Sequence, residues 1–246
     1  GLRVQGYRGL EAVCGISFEV RAGEIVGVAG VSGNGQRELA YGLVGLRTPT
    51  SGSVALDGVD VTRASVLEHI ESGFAYIPQS RLGMGLAPGL TTEENLALKA
   101  FRRAPYTKGW RLIAAAFRDE GARQIQQYDI RGVRDGLPIR LLSGGNLQKT
   151  LVAREVELEP RILIARSPTR GLDVGATQAV RNQILSERVR GAGVLLISED
   201  LDELLALADR ILVMYEGEIV GEMPAEEASA ERLGLLMAGE REEVSP

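Results

Sequence analysis

Residues Leu142 to Lys149, reading LSGGNLQK, put a hydroxyl, two glycines and an amide at the head of a helix-period pattern. Ser143 can cap that helix, whose first N–H groups then point into solvent. Gly144 and Gly145 carry no side chains, so a phosphate can come within hydrogen-bonding distance of backbone. The helix dipole adds partial positive charge at the same point. The pattern predicts an outward-facing anion site. An ordinary capped helix start is the plainer reading of Ser-Gly-Gly taken alone.

A second candidate phosphate site lies upstream. Glu24 to Ala29 (EIVGVA) reads as a buried strand, Gly30-Val31-Ser32-Gly33-Asn34-Gly35 as a glycine loop, and Leu39, Leu43 and Val44 mark one face of a following helix. Strand, glycine loop and helix is the P-loop order, in which successive N–H groups wrap a phosphate chain. A working P-loop continues Gly-Lys-Ser or Gly-Lys-Thr, where the Lys reaches the β- and γ-phosphates and the hydroxyl holds Mg²⁺. Here Gln36 and Arg37 stand in those positions. Gln36 offers only a neutral amide, and the Arg37 charge comes one position late. A P-loop with a non-nucleotide role is the alternative reading.

The glycine loop, the LSGGN string and PTRGLD (Pro168 to Asp173), in that order, resemble the ATP-binding cassette (ABC) ATPase family. LSGGN together with PTRGLDVGA resembles its sugar and nucleoside importer branch, and the second cassette of double-length ATPase subunits. The resemblance spans about residues 1 to 240. It implies ATP as ligand and cassettes paired head to tail, each nucleotide lying between one P-loop and the opposite signature.

The implied ATP-binding positions are Tyr7, Gly30, Gly33, Asn34, Gly35, Gln36, Arg37 and Gln79. In the family an aromatic at the Tyr7 position stacks on adenine; a Tyr packing on a strand edge is the other reading. Gln79 matches a Gln that senses Mg²⁺ and nucleotide and touches the membrane partner. Many members of the branch carry Pro-Glu-Asp-Arg where this chain has Pro78-Gln79-Ser80-Arg81. The signature positions are Leu142, Ser143, Gly144, Gly145 and Asn146, and Asp173 falls in the D-loop.

Where a working member has Asp-Glu before Pro-Thr, this chain has Arg166 and Ser167, and Glu199 stands where a His follows the next strand. No catalytic residue is intact, since Ser167 and Glu199 replace the expected Glu and His. The losses fall on the chain's own site while LSGGN is whole. The expectation is a degenerate cassette that completes a partner's active site. Mg²⁺ is expected at the partner's site and is in doubt at this one.

These residues need elements to hold them. Ile16 to Val20 alternates like a half-buried strand, Ser53 to Val61 reads as a hairpin about Asp57-Gly58, and Phe74 to Ile77 as a buried strand. From Ser80 to Leu141 the strand pattern stops. Thr91 or Thr92 opens one helix and Arg111 to Tyr128 reads as a second. The basic, aromatic run Phe101 to Arg111 between them reads as a solvated loop, with a partner contact as the alternative. Arg161 to Ala165 and Val194 to Ile197 read as strands, Arg210 to Met223 as a hairpin, and Ala225 to Met237 as a short amphipathic helix before an acidic tail. The only histidine, His69, reads as a surface residue. The element pattern is α/β, and the resemblance implies a P-loop ATPase with a RecA-like core, an antiparallel β subdomain and an inserted α-helical subdomain. The core lobe is expected over 1–79 and 150–222, the helical and signature subdomain over 80–149, and the C-terminal helix and tail over 223–246.

The 246 residues suffice for a large core, and the formal net charge of −5 argues against a general nucleic-acid binder. A single cysteine, Cys14, excludes an internal disulfide. No apolar run approaches the ~20 residues that span a bilayer, so a membrane role has to act through a partner. The expected partners are a second cassette, in the N-terminal half of the same polypeptide, and transmembrane permease subunits, at the cytoplasmic face of the membrane. No nucleic acid is expected. A non-transport ABC-type ATPase, for DNA repair or ribosomes, and a purely regulatory or structural cassette are the alternatives. The chain opens at Gly1 without a Met, which suggests a domain of a longer polypeptide.

Overall fold

The computed structural model describes residues 1–7 and 9–240; the acidic tail read at 241–246 lies outside the described residues. In chain order the elements begin with strands β1 (Leu2–Gln5), β2 (Glu11–Ile16) and β3 (Ile25–Ala29), then helix α1 (Gln36–Leu43). Strands β4 (Ala55–Leu56) and β5 (Val59–Asp60), helix α2 (Val66–Ser72), strand β6 (Phe74–Ile77) and helix α3 (Thr92–Ala97) follow. Next come β7 (Thr107–Lys108), β8 (Arg111–Leu112), α4 (Ala114–Gln127), α5 (Gly144–Val156), β9 (Ile162–Arg166) and α6 (Val174–Arg190). The described chain closes with β10 (Gly193–Ser198), α7 (Leu201–Leu207), β11 (Arg210–Tyr215), β12 (Glu218–Pro224) and α8 (Ala230–Met237). They fall into two compact units: 1–76 with 161–167 and the chain from 187 on, and 77–160 with 168–186.

The first unit is built on a six-stranded sheet in the order β12-β11-β3-β10-β9-β6. β11, β3, β10 and β9 run parallel to one another, while β12 is antiparallel on the edge. All five residues of β3 and all six of β10 are buried, as expected for parallel strands covered on both faces. Val26, Val28, Leu39, Ile164, Leu195 and Leu212 pack in one cluster. Each such side chain contributes about 1.5–3 kcal/mol when fully buried. β1–β2 and β4–β5 form separate antiparallel pairs, the latter through Asp57 and Gly58, both at positive φ.

The expected strand Ile16 to Val20 lies earlier, at Glu11–Ile16. The pairing explains the shift: Ile16 faces Leu2, the first residue of β1, so the ladder has no partner beyond it. His69 is not on the surface. It is 1% exposed, its Nδ1 lies 3.0 Å from the Ser65 carbonyl, and its ring meets Phe74 edge-on at 5.0 Å. α2 is otherwise mostly exposed, so its sequence gave no apolar stripe to mark the buried position.

In the second unit α3 starts at a capping box, Thr91 with Glu94. Lys99 and Arg154 both pair with the fully buried Glu155, and the Lys99 pair ties the segment just after α3 to α5. The strand pattern does not stop here: β7 and β8 pair antiparallel, Thr107 opposite Leu112 and Lys108 opposite Arg111. The second helix therefore begins at Ala114 rather than Arg111, because Arg111 and Leu112 are spent on the hairpin.

Candidate functional site

The glycine loop connects β3 to α1 in the first unit. Gly33 and Gly35 sit at φ 102° and 98°. A Cβ on Gly35 would lie 1.9 Å from the Ala12 carbonyl oxygen, so only glycine fits there. The Asn34 carbonyl accepts from the Gly217 N–H at 3.1 Å, which binds the loop to the β11–β12 turn.

Gln36 is buried and its Nε2 donates to the Val31 carbonyl at 2.9 Å, folding the side chain back across its own loop. Arg37 is not a free cation. Its guanidinium forks onto Glu38 at 3.0 and 2.7 Å, and that bond raises the Arg37 pKa. Glu38 is itself buried in the first turn of α1, so a carboxylate already complements the helix dipole where an incoming anion would. The Tyr7 ring carries two guanidinium groups, Arg37 at 4.5 Å and Arg47 at 4.2 Å from its centroid. It is 68% exposed.

β9 delivers Arg166 and Ser167. Burial raises the Tyr76 hydroxyl pKa, Tyr41 adds to it, and the Arg166 and Arg37 charges oppose it. Ser167 is held at φ 43°, with its N–H donating to the Ile197 carbonyl at 2.7 Å. A non-glycine residue there costs of order 1–3 kcal/mol. Glu199 is exposed beyond the end of β10. The loop's backbone suits a phosphate chain. Two side chains do not suit Mg²⁺: guanidinium groups stand at Arg37 and Arg166, where the resemblance implies a hydroxyl and an Asp.

The signature lies in the second unit, at the start of α5. Ser143 is the N-cap residue, but its side chain makes no capping bond. Its Oγ instead accepts from Asn146 Nδ2 at 2.9 Å, while Asn146 Oδ1 accepts from the Arg131 N–H at 2.7 Å. The expected side-chain cap is thus replaced by an Asn bridge, and Ser143 and Gly144 stay exposed. A Cβ on Gly145 would lie 3.1 Å from Ala176 Cβ and 3.7 Å from Asp173 Oδ2. Asp173 Oδ1 accepts from the Ala176 N–H at 2.8 Å and so fixes the PTRGLD turn beside the signature. Gln79 is half-buried at the start of the same unit, after β6.

The family described as "ABC transporter" matches residues 13–170. The chain belongs to that family. A glucose import ATP-binding protein of Haloferax volcanii is 46% identical over 234 residues, 94% of this chain and 42% of that protein. A guanosine import ATP-binding protein of Bacillus subtilis is 41% identical, over 97% of this chain and 47% of that protein. A ribose import ATP-binding protein of Rubrobacter xylanophilus is 40% identical, over 97% of this chain and 48% of that protein. The chain thus spans about half the length of these relatives. A solved ATP-binding subunit of an ABC transporter superposes with a TM-score of 0.76 at 23% identity, covering 96% of this chain and 99% of the other. The fold is that of ABC cassettes.

In each unit of this ABC cassette, residues that the motifs did not single out hold the motif residues. Glu38 neutralises Arg37, and the acid beside Arg37 was the available signal. Arg81, the letter that Pro-Gln-Ser-Arg shares with Pro-Glu-Asp-Arg, links three motifs. Its Nε donates to the buried Gln148 Oε1 of α5 at 2.9 Å, and its Nη2 donates to the Arg170 carbonyl of PTRGLD. Its Nη1 lies 3.7 Å from the position a Gly144 Cβ would take. Burial lowers the Arg81 pKa. Hydrogen bonds to a charged group contribute about 1.5–3 kcal/mol each. Arg81→Ala should therefore speed amide exchange at 143–148 and 168–173 by roughly 10–100-fold, while the P-loop is unchanged. Arg81→Lys, which cannot keep the fork, should behave alike. Unchanged exchange at 168–173 would show that Arg81 does not hold that loop.

Proposed function

We propose that this chain is the nucleotide-binding cassette of an importer for sugars or nucleosides, degenerate at its own site, and that it supplies Leu142 to Asn146 to a partner cassette's ATP site. The observation that carries this reading is the contrast between the two phosphate-facing surfaces. Ser143 and Gly144 are exposed at the head of α5, with Gly145 packed beside Asp173. In the P-loop unit, Gln36 is bonded to its own loop, Arg37 to Glu38, and Arg166 ends β9 with Ser167 just after it. The names of the relatives support the importer class, and their double length supports a second cassette, which we place in the N-terminal half of one polypeptide on the LSGGN and PTRGLDVGA resemblance. Transmembrane permease subunits and the cytoplasmic face of the membrane follow from the same class.

At this chain's own site, Gly30, Gly33, Asn34 and Gly35 would hold the phosphates through backbone, and Tyr7 would take the base after displacing a guanidinium. ATP supplies the free energy of its phosphoanhydride bond; the chain's own residues here bind and orient. At the partner's site, Ser143 and the N–H groups of Gly144 and Gly145 would face the γ-phosphate, with Asp173 fixing their support. Losing the P-loop Lys removes about 1.5–3 kcal/mol, or roughly 10–100-fold in affinity. Titration calorimetry on the purified chain should give weak ATP binding, about equal in EDTA and in Mg²⁺. Strong tightening by Mg²⁺ would mean that Arg166 does not occupy the metal position.

A further inference from the structure

We infer that the β7–β8 hairpin is a membrane-contact element that takes an anionic lipid surface, with Trp110 at headgroup level and the flanking cations on lipid phosphates. Residues 101–112 carry Arg102, Arg103, Lys108 and Arg111 and no acid, within a chain of net charge −5. Trp110 sits at the turn and is 86% exposed, and Leu112 beside it is 61% exposed. The Arg111 guanidinium lies 4.9 Å from the Trp110 ring centroid.

The register adds an independent observation. Lys108 and Arg111 stand directly opposite each other in the ladder. Like charges so placed destabilise a hairpin, and an anion between them reverses the sign of the interaction. The hairpin is nonetheless held firmly. Tyr106 beneath it is buried and meets the Phe117 ring at 5.1 Å, and Thr107 Oγ1 donates to the Gly109 and Arg111 carbonyls at 3.3 and 3.1 Å. The exposed indole is therefore projected by a fixed support.

The occupant follows from shape and chemistry. Two-residue strands make a short tip, exposed from Lys108 to Leu112. Such a tip cannot by itself cover the ~1,000 Å² or more of a specific protein interface. A bilayer surface accepts an isolated amphipathic ring among cations: indoles concentrate at the headgroup level, and basic residues are drawn to anionic leaflets. The contact does not depend on the nucleotide site.

Trp110 is the only tryptophan in the chain, so selective indole excitation reads the hairpin alone. With vesicles of phosphatidylglycerol and phosphatidylcholine at low ionic strength, the emission should shift to the blue and be quenched by brominated lipid. Both effects should vanish in ~1 M salt, where screening acts within ~3 Å. The double variant Lys108→Glu, Arg111→Glu should bind at least ~10-fold more weakly in co-sedimentation. Both side chains are exposed, so its thermal transition should stay in place. An unshifted spectrum with anionic vesicles overturns the inference. So does an equal shift with phosphatidylcholine alone, undiminished binding by the double variant, or a response to single-stranded nucleic acid or an acidic polypeptide but not to vesicles.

Discussion

The purified chain should release phosphate from ATP at the background rate, more than ~10³-fold below an intact cassette pair, even at concentrations that let two copies associate. Phosphoryl transfer is catalysed by positioning and charge stabilisation, and single groups of either kind are worth about 10²–10⁴-fold. Here several are missing together. The Gln36 amide is bonded to Val31, the Arg37 charge is spent on Glu38, and Ser167 has no carboxylate with which to orient water. Glu199 brings negative charge where an imidazole would assist. Restoring one group cannot repair a site that lacks its neighbours, so Ser167→Glu should remain inactive. Turnover by the wild-type chain that disappears in Ser143→Arg would mean that two copies of this chain form a working site.

Much of this was legible in the sequence because the motifs are local. A compact apolar run, a glycine loop and a helix pattern led to β3, the P-loop and α1 in place, and LSGGN heads α5 as expected. What was not legible depends on partners distant in the chain. β2 ends at Ile16 because β1 begins at Leu2, a fact of pairing that the alternation in Ile16 to Val20 does not contain. His69 is covered by Phe74 and lies close against Gly45, while its own helix is too exposed to announce a buried position. The Arg37 charge was visible, but its neutralisation needed the Glu38 side chain turned onto it. Arg81 reads as a loop residue until Gln148 and Arg170 are seen at its guanidinium.

Substitutions in the signature should stop ATP-driven uptake by the assembled importer, whereas substitutions in this chain's own P-loop and β9 should leave most of it. On the proposed function, the head of α5 would offer N–H groups and a hydroxyl to the partner's γ-phosphate, and losing one such donor costs about 10²–10³-fold. Gly145→Asp sets a carboxylate on that approach and next to Asp173, whose Oδ2 lies 3.7 Å from the new Cβ. It also crowds Ala176, so a local distortion accompanies the charge. Ser143→Arg separates the two effects better, because Ser143 is exposed and the change breaks within the chain the Asn146 Nδ2 bond to its Oγ without crowding Ala176. Gln36→Ala removes a neutral bond worth about 1 kcal/mol within the loop, and Ser167→Ala removes a hydroxyl where chemistry already lacks its carboxylate. The decisive measurement is solute uptake with ATP turnover in the full importer, comparing Ser143→Arg with Gln36→Ala in this cassette. Near-complete loss in Ser143→Arg beside near-normal activity in Gln36→Ala is the expected result. Loss in Gln36→Ala with Ser143→Arg still active would contradict the division of labour proposed for the two surfaces.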